Sequence, residues 1–119
     1  MAKVMVVDDS LMMRRNLTNL LQQIGHEVVA EEKNGLLAFN NYEKINPDLV
    51  TMDVTMPVMD GITAVKKIIN SFPDAIIIMI SAQNQQSMIY SALKSGAKNY
   101  ILKPIRADKL KAVIDEALG

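Results

Sequence analysis

The sequence contains no cysteine, which excludes disulfides, thiolate metal sites and cysteine nucleophiles and suits a reducing compartment. It also lacks net charge: 13 basic residues balance 13 acidic ones, so no bulk field favours nucleic acid or an anionic membrane. No apolar run approaches the roughly 18 residues that a membrane-spanning helix requires. The opening MAKVMVVDDS holds one lysine and a short apolar run cut off by two aspartates, and so has neither the length nor the flanks of a secretory signal. Internal repeats and low-complexity segments are absent as well. We therefore expect a cytoplasmic protein with no membrane insertion and no direct nucleic-acid binding.

What is present is mainly hydrocarbon, half the residues being apolar. A chain of 119 residues can bury one core but not two. A single domain over residues 1–119, without a linker or output domain, is the expectation, and it disfavours a DNA-binding regulator. The nine methionines read as adaptable core filling.

Short apolar runs alternate with helix-period segments. VMVV (4–7), HEVVAE (26–31), PDLVTMD (47–53), AIIIMI (75–80) and NYILKP (99–104) are strand candidates. VMVV and AIIIMI are apolar almost throughout, as strands covered on both faces of a parallel sheet must be. HEVVAE has polar ends and suits an edge. Between the strands lie predicted helices over Ser10–Ile24, Gly35–Ile45, Ile62–Asn70, Gln85–Ser95 and Ala107–Leu118. Gly25 and Gly96 act as stops, and Ser10 or Asp9 as an N-cap. This alternation specifies an α/β fold with right-handed crossovers.

Ligands of open parallel sheets bind outside the carboxyl ends of the strands. Here the first strand ends in Asp8-Asp9, the third in Asp53, the fourth in Ser81 and the fifth in Lys103-Pro104. Carboxylates converging there would repel by about 4 kcal/mol per pair at about 4 Å and an effective dielectric near 20. Lys103 is one candidate to offset this, and a hard divalent cation such as magnesium is the other. Asp53 then reads as a metal-held nucleophile for a phosphoryl group, with Ser81 donating a hydrogen bond to one of its oxygens. Taken singly, Asp8-Asp9-Ser10 is more simply a helix cap, Asp60-Gly61 a turn, and Lys103-Pro104 a strand end. Their joint placement at successive strand ends carries the argument.

With Asp8-Asp9, Asp53, Met56-Pro57, Asp60-Gly61, Ser81-Ala82 and Lys103-Pro104 all in register, the chain resembles response-regulator receiver domains over essentially its whole length. The resemblance implies a flavodoxin-like (βα)5 fold, a doubly wound parallel sheet in order 2-1-3-4-5. By position it implies that Asp53 accepts a phosphoryl group from a sensor histidine kinase. Asp9, Asp53 and the backbone carbonyl of Thr55 match the ligands of Mg2+, and Asp8 matches a residue acting mainly through water. Lys103 matches the lysine that pairs with the phosphoryl group, Ser81 the switch hydroxyl, and Tyr100 the aromatic that turns inward on activation. Pro57 and Gly61 would shape an accessible loop, while Thr55 and Gln83 occupy positions that tune access of the hydrolytic water. The only chemistry implied is Mg-dependent self-phosphorylation from phosphodonors and self-dephosphorylation, so the chain is not expected to be an enzyme.

Among receivers, the chain is most similar to the stand-alone chemotaxis type. That implies a chemotaxis kinase as phosphodonor, a monomeric state and a flagellar motor switch protein as partner. The docking face would comprise Gln86, Ile89, Leu93, Tyr100 and Leu102. The alternative is a phosphorelay intermediate like the sporulation relay receiver, or another stand-alone receiver. A haloacid-dehalogenase-type phosphatase would need an aspartate where Thr55 stands, and a flavodoxin a hydroxyl- and glycine-rich loop in place of DDSLMM. His26, Arg14-Arg15 and Lys66-Lys67 read as ordinary surface residues.

Overall fold

The computed structural model describes residues 1–119. Strands β1 (Lys3–Val7), β2 (Glu27–Glu32), β3 (Leu49–Met52), β4 (Ile77–Ser81) and β5 (Asn99–Leu102) alternate with helices α1 (Leu11–Gln23), α2 (Gly35–Ile45), α3 (Gly61–Ser71), α4 (Gln86–Lys94) and α5 (Ala107–Leu118). All strand pairs are parallel, in the order β2-β1-β3-β4-β5. The expected architecture and the edge position of β2 are both present.

The alternation of side chains along each strand divides the core in two. Met5, Val7, Val50, Met52, Ile77 and Met79 face α2, α3 and α4, meeting Ala38, Ala64, Ile68 and Ala92. Val4, Val6, Leu49, Ile78, Ile80 and Ile101 face the opposite layer, where Leu17 and Leu21 of α1 and Leu110 and Ile114 of α5 close over them. β1, β3 and β4 are therefore buried almost throughout, as their continuous apolar runs require. Met5, Met52 and Met79 are core filling, whereas Met12 is 81% exposed.

Helix ends follow local chemistry. Ser10 caps α1 by accepting a hydrogen bond from the Met13 amide at 3.2 Å, and Gly25 stops that helix at φ 92°. Asp60, read above as a turn residue, is the N-cap of α3 and accepts both the amide and the hydroxyl of Thr63 at 2.9 Å. Its helix accordingly begins one residue earlier than predicted. Two of the strands are clearly shorter than their apolar patterns: Pro47, Asp48 and Asp53 lie outside β3, and β5 ends at Leu102 before the Lys103–Pro104 bond. Pro104 cannot donate to a ladder, which accounts for the end of β5.

Candidate functional site

Register assembles the site. Val7 of β1 pairs with Met52 of β3, so the residues that follow, Asp8 and Asp53, leave the sheet side by side. Ser81 of β4 pairs with Leu102 of β5, which brings Lys103 to the same edge. A carboxylate oxygen from each of Asp8, Asp9 and Asp53 lies within 4.8 Å of the others. Asp8 and Asp53 are 1% and 8% exposed and Ser81 is fully buried, whereas Asp9 faces solvent.

Each buried carboxylate is held. Asp8 Oδ1 accepts the Ser10 amide at 2.9 Å, and its Oδ2 accepts Lys103 Nζ at 3.0 Å. Asp53 Oδ1 accepts the Val54 amide at 2.7 Å, and its Oδ2 lies 3.4 Å from Lys103 Nζ. Lys103 thus bridges two carboxylates, with the tighter contact to Asp8. Burial pushes the Asp53 carboxyl above its ordinary range. Lys103 opposes that shift, the nearby Asp8 charge adds to it, and the Val54 amide and Ser81 hydroxyl lower it again.

One lysine among three carboxylates leaves excess negative charge at an edge rich in oxygen donors. The carboxylates of Asp8, Asp9 and Asp53 together could hold a hard divalent cation. No surface groove surrounds this cluster. A groove of about 530 Å³ lies instead between α3 and α4 against Lys66, Ile69, Tyr90 and Lys94.

Gly61 has a more specific role than loop shape. It opens α3 with its amide bonded to the Val54 carbonyl at 2.8 Å, and a Cβ there would run into the backbone carbonyl of Asp53. The helix start therefore packs directly on the main chain that carries Asp53. Beyond the acidic residues, Ser81 Oγ accepts the Gln83 amide at 3.1 Å, and Gln83 Nε2 donates to Thr55 Oγ1 at 3.2 Å. Half-buried Tyr100 packs against the core and donates its hydroxyl to the Gln83 carbonyl at 2.7 Å. The loop after β4 thus connects Ser81 to Tyr100.

Around Tyr100, the residues expected to form a docking face are only partly covered. Leu93 is 42% and Leu102 45% exposed, Gln86 is exposed and Ile89 is half-buried. Tyr90, absent from the sequence-based set, is 64% exposed on the same helix.

Two surface assignments need correction. Arg14 is not a solvated helix residue: its side chain is 15% exposed and bonds to the Asp8 carbonyl and to Glu31. The signal was its spacing, because position 14 shares the buried stripe of α1 with Leu17 and Leu21. A basic residue on that stripe needs partners, whereas Arg15 beside it is exposed. His26 is half-buried and accepts the Ala2 amide at 3.0 Å, where β2 begins and far along the strands from the acidic edge.

A doubly wound sheet carrying an acidic cluster, a hydroxyl and a lysine at its carboxyl edge defines a class of signalling domain. The sequence matches the response regulator receiver domain over residues 4–115, and the chain belongs to that family. Over 117 residues it is 47% identical to the chemotaxis protein CheY of Bacillus subtilis and 44% identical to that of Listeria monocytogenes, covering 98% of this chain and 98% of each relative. The crystal structure of the CheX-CheY-BeF3-Mg+2 complex from Borrelia burgdorferi contains a chain of similar fold. The TM-score is 0.93 at 33% identity, over 98% of this chain and 89% of that one. The protein is thus a two-component response regulator receiver domain similar to chemotaxis regulators. No helix is long and apolar enough to cross a membrane.

Proposed function

We propose that this receiver is a cytoplasmic phosphorylation switch of chemotaxis, loaded by a histidine kinase and read by the flagellar motor switch. The observation that carries the reading is the Asp53 carboxylate at the end of a buried strand, 3.4 Å from Lys103 and clustered with Asp8 and Asp9. The likeness to CheY relatives across 98% of the chain supports the chemotaxis setting.

An Asp53 oxygen attacks the phosphorus of a phosphohistidine. A phosphorus–oxygen bond forms as the phosphorus–nitrogen bond breaks, and the electron pair leaves with the imidazole, which takes up a proton. Lys103 swings between Asp8 and Asp53 and pairs with the charge gained on the transferred group. Asp9, Asp53 and the Thr55 carbonyl would hold Mg2+, with Asp8 acting through water, and the ion when bound supplies charge neutralisation at the phosphoryl oxygens. That the Borrelia relative forms a complex containing beryllofluoride and magnesium supports a magnesium-dependent site here. The chemistry is stoichiometric at Asp53, so the protein acts as a phosphoacceptor and not as an enzyme on a separate substrate.

Ser81 reports the modification. Drawing its hydroxyl toward the new oxygens changes the loop that carries Gln83, and through the Gln83 carbonyl it stabilises Tyr100 against the core. A charge change at the sheet edge thereby shifts the population of arrangements on the α4–β5 face, where Leu93 and Leu102 stand exposed. That surface would receive a partner peptide or helix.

Amide NMR tests this reading. Spectra would be recorded with Mg2+, with and without beryllofluoride, followed by titration with an N-terminal peptide of the motor switch protein. Shifts at Asp53, Ser81 and Tyr100, with tighter peptide binding in the presence of the mimic, are the expected result. A mimic response without peptide binding would favour a phosphorelay role, and no response to the mimic would reject the site.

A further inference from the structure

Arg14 reaches from α1 to the end of β1. Its Nη1 donates to the Asp8 carbonyl at 2.7 Å, and its Nε donates to the Glu31 carboxylate of β2 at 3.1 Å. The Asp8 carbonyl belongs to the peptide that joins Asp8 to Asp9, so the group that holds this oxygen sets the plane in which Asp9 leaves the strand. The rest of Asp8 is fixed too, its amide donating to the Glu32 carbonyl at 3.0 Å and its side chain engaging Ser10 and Lys103. Asp9 is exposed and has no side-chain hydrogen bond of its own. Its place within the acidic cluster depends on the main chain beside it.

We propose that Arg14 and Glu31 form a clasp that positions Asp9 for the divalent cation. Arg14 holds the Asp8–Asp9 peptide, and Glu31 both orients Arg14 and cancels the positive charge it would otherwise place near the cation. This inference rests on the acidic cluster being the Mg2+ site. Arginine suits the task because its planar fork reaches two acceptors at once, while a lysine ammonium would retain the charge without the same two-point geometry. The opposing carboxylate matters because Lys103 already supplies one positive group, and a second, uncancelled one would compete with the ion.

The two members therefore act through different physics. Arg14→Lys preserves charge and loosens the peptide, so it should weaken Mg2+ binding by a factor that salt leaves nearly unchanged. Glu31→Gln preserves shape and leaves the guanidinium uncancelled, so its effect should shrink as salt screens the repulsion. Groups that support metal ligands commonly contribute about 10-fold or more to affinity, and a loss of about 10-fold is expected in each variant. Arg15→Gln, at the exposed neighbouring position, should bind like the wild type.

The experiment is an amide NMR titration of the full chain with Mg2+ at low and high salt, with thermal melts recorded on the same samples. Weakened binding in both variants, with folded spectra and the stated salt contrast, would support the clasp. Glu31 is exposed, so Glu31→Gln carries the test even if Arg14→Lys fails to fold. Wild-type affinity in Glu31→Gln at low salt would overturn the clasp and leave the Mg2+ site standing. Absence of a saturable Mg2+ response in the wild type would overturn both.

Discussion

At the carboxyl edge of the sheet, Asp8 and Asp53 are 1% and 8% exposed, while on the α4–β5 face Leu93 and Leu102 are 42% and 45% exposed. One region buries charge and the other presents hydrocarbon to water, each against the usual partition. The buried charge is retained by specific partners: Lys103, the Ser10 and Val54 amides, and Ser81. The exposed hydrocarbon has no such partners within the chain, and the proposed reading makes it the surface another protein would meet. The regions are joined by one loop, through Ser81, Gln83 and Tyr100. The proposed switch would need both departures, buried charge that responds to added charge and a surface free enough to be read.

The sharpest way to break the comparison is Asp53→Asn. It should abolish every beryllofluoride-induced NMR shift while making the fold more stable at neutral pH, by roughly 1 kcal/mol. The sign follows from burial, which raises the Asp53 carboxyl above its ordinary range in the folded state. Stability associated with that group is fully present below the ordinary carboxylate range and is lost as pH rises through the raised folded value. The advantage of the amide should therefore grow with rising pH and vanish in acid, as urea midpoints across pH would record. A variant less stable than wild type at neutral pH would contradict this account of the buried charge.

Next in size is Gly61→Ala, whose methyl would meet the Asp53 carbonyl. It should destabilise by about 3 kcal/mol, measurable by urea denaturation, and slow phosphorylation from a small phosphodonor as the strand end shifts. Lys103→Met leaves two largely buried carboxylates uncompensated. A loss of about 2 kcal/mol at neutral pH is expected, largely recovered at saturating Mg2+ in thermal melts. Failure of Mg2+ to restore stability would separate the lysine from the cation reading.

On the exposed face the expectation reverses. Leu93→Ala or Leu102→Ala should change stability by less than about 1 kcal/mol. Either should weaken motor-switch peptide binding by about 10-fold in a fluorescence titration. The smallest effect belongs to Val58, a branched residue held at φ 69° and 77% exposed in the loop after β3. Asparagine tolerates that backbone conformation better, so Val58→Asn should stabilise by about 0.5–1 kcal/mol in urea denaturation.

Much of this molecule can be read without coordinates. The apolar runs of β1 and β4, the caps at Ser10 and Gly25 and the polar residues after successive strands are local patterns, governed by side-chain periodicity and backbone preference. They sufficed for the fold, the sheet order through family resemblance, and the residues of the acidic edge. Arg14 was missed because i+3 spacing assigns a helix face but does not name the partners waiting there. Asp60 and Gly61 were underestimated because a two-residue turn signal does not reveal that a helix will pack on the Asp53 carbonyl.

The order of residues by itself determined which groups each strand delivers to the carboxyl edge, since chain direction and alternation are properties of neighbours along the chain. Only the tertiary structure decided how charge is shared there: Lys103 nearer Asp8 than Asp53, Arg14 on the Asp8 carbonyl, Tyr100 on the carbonyl of Gln83. The Lys103 contacts join residues 95 and 50 apart in sequence, and even Arg14 and Asp8, six apart, meet across a strand and a helix. Their distances are set by strand register and by helices packing on the sheet, which no local pattern encodes.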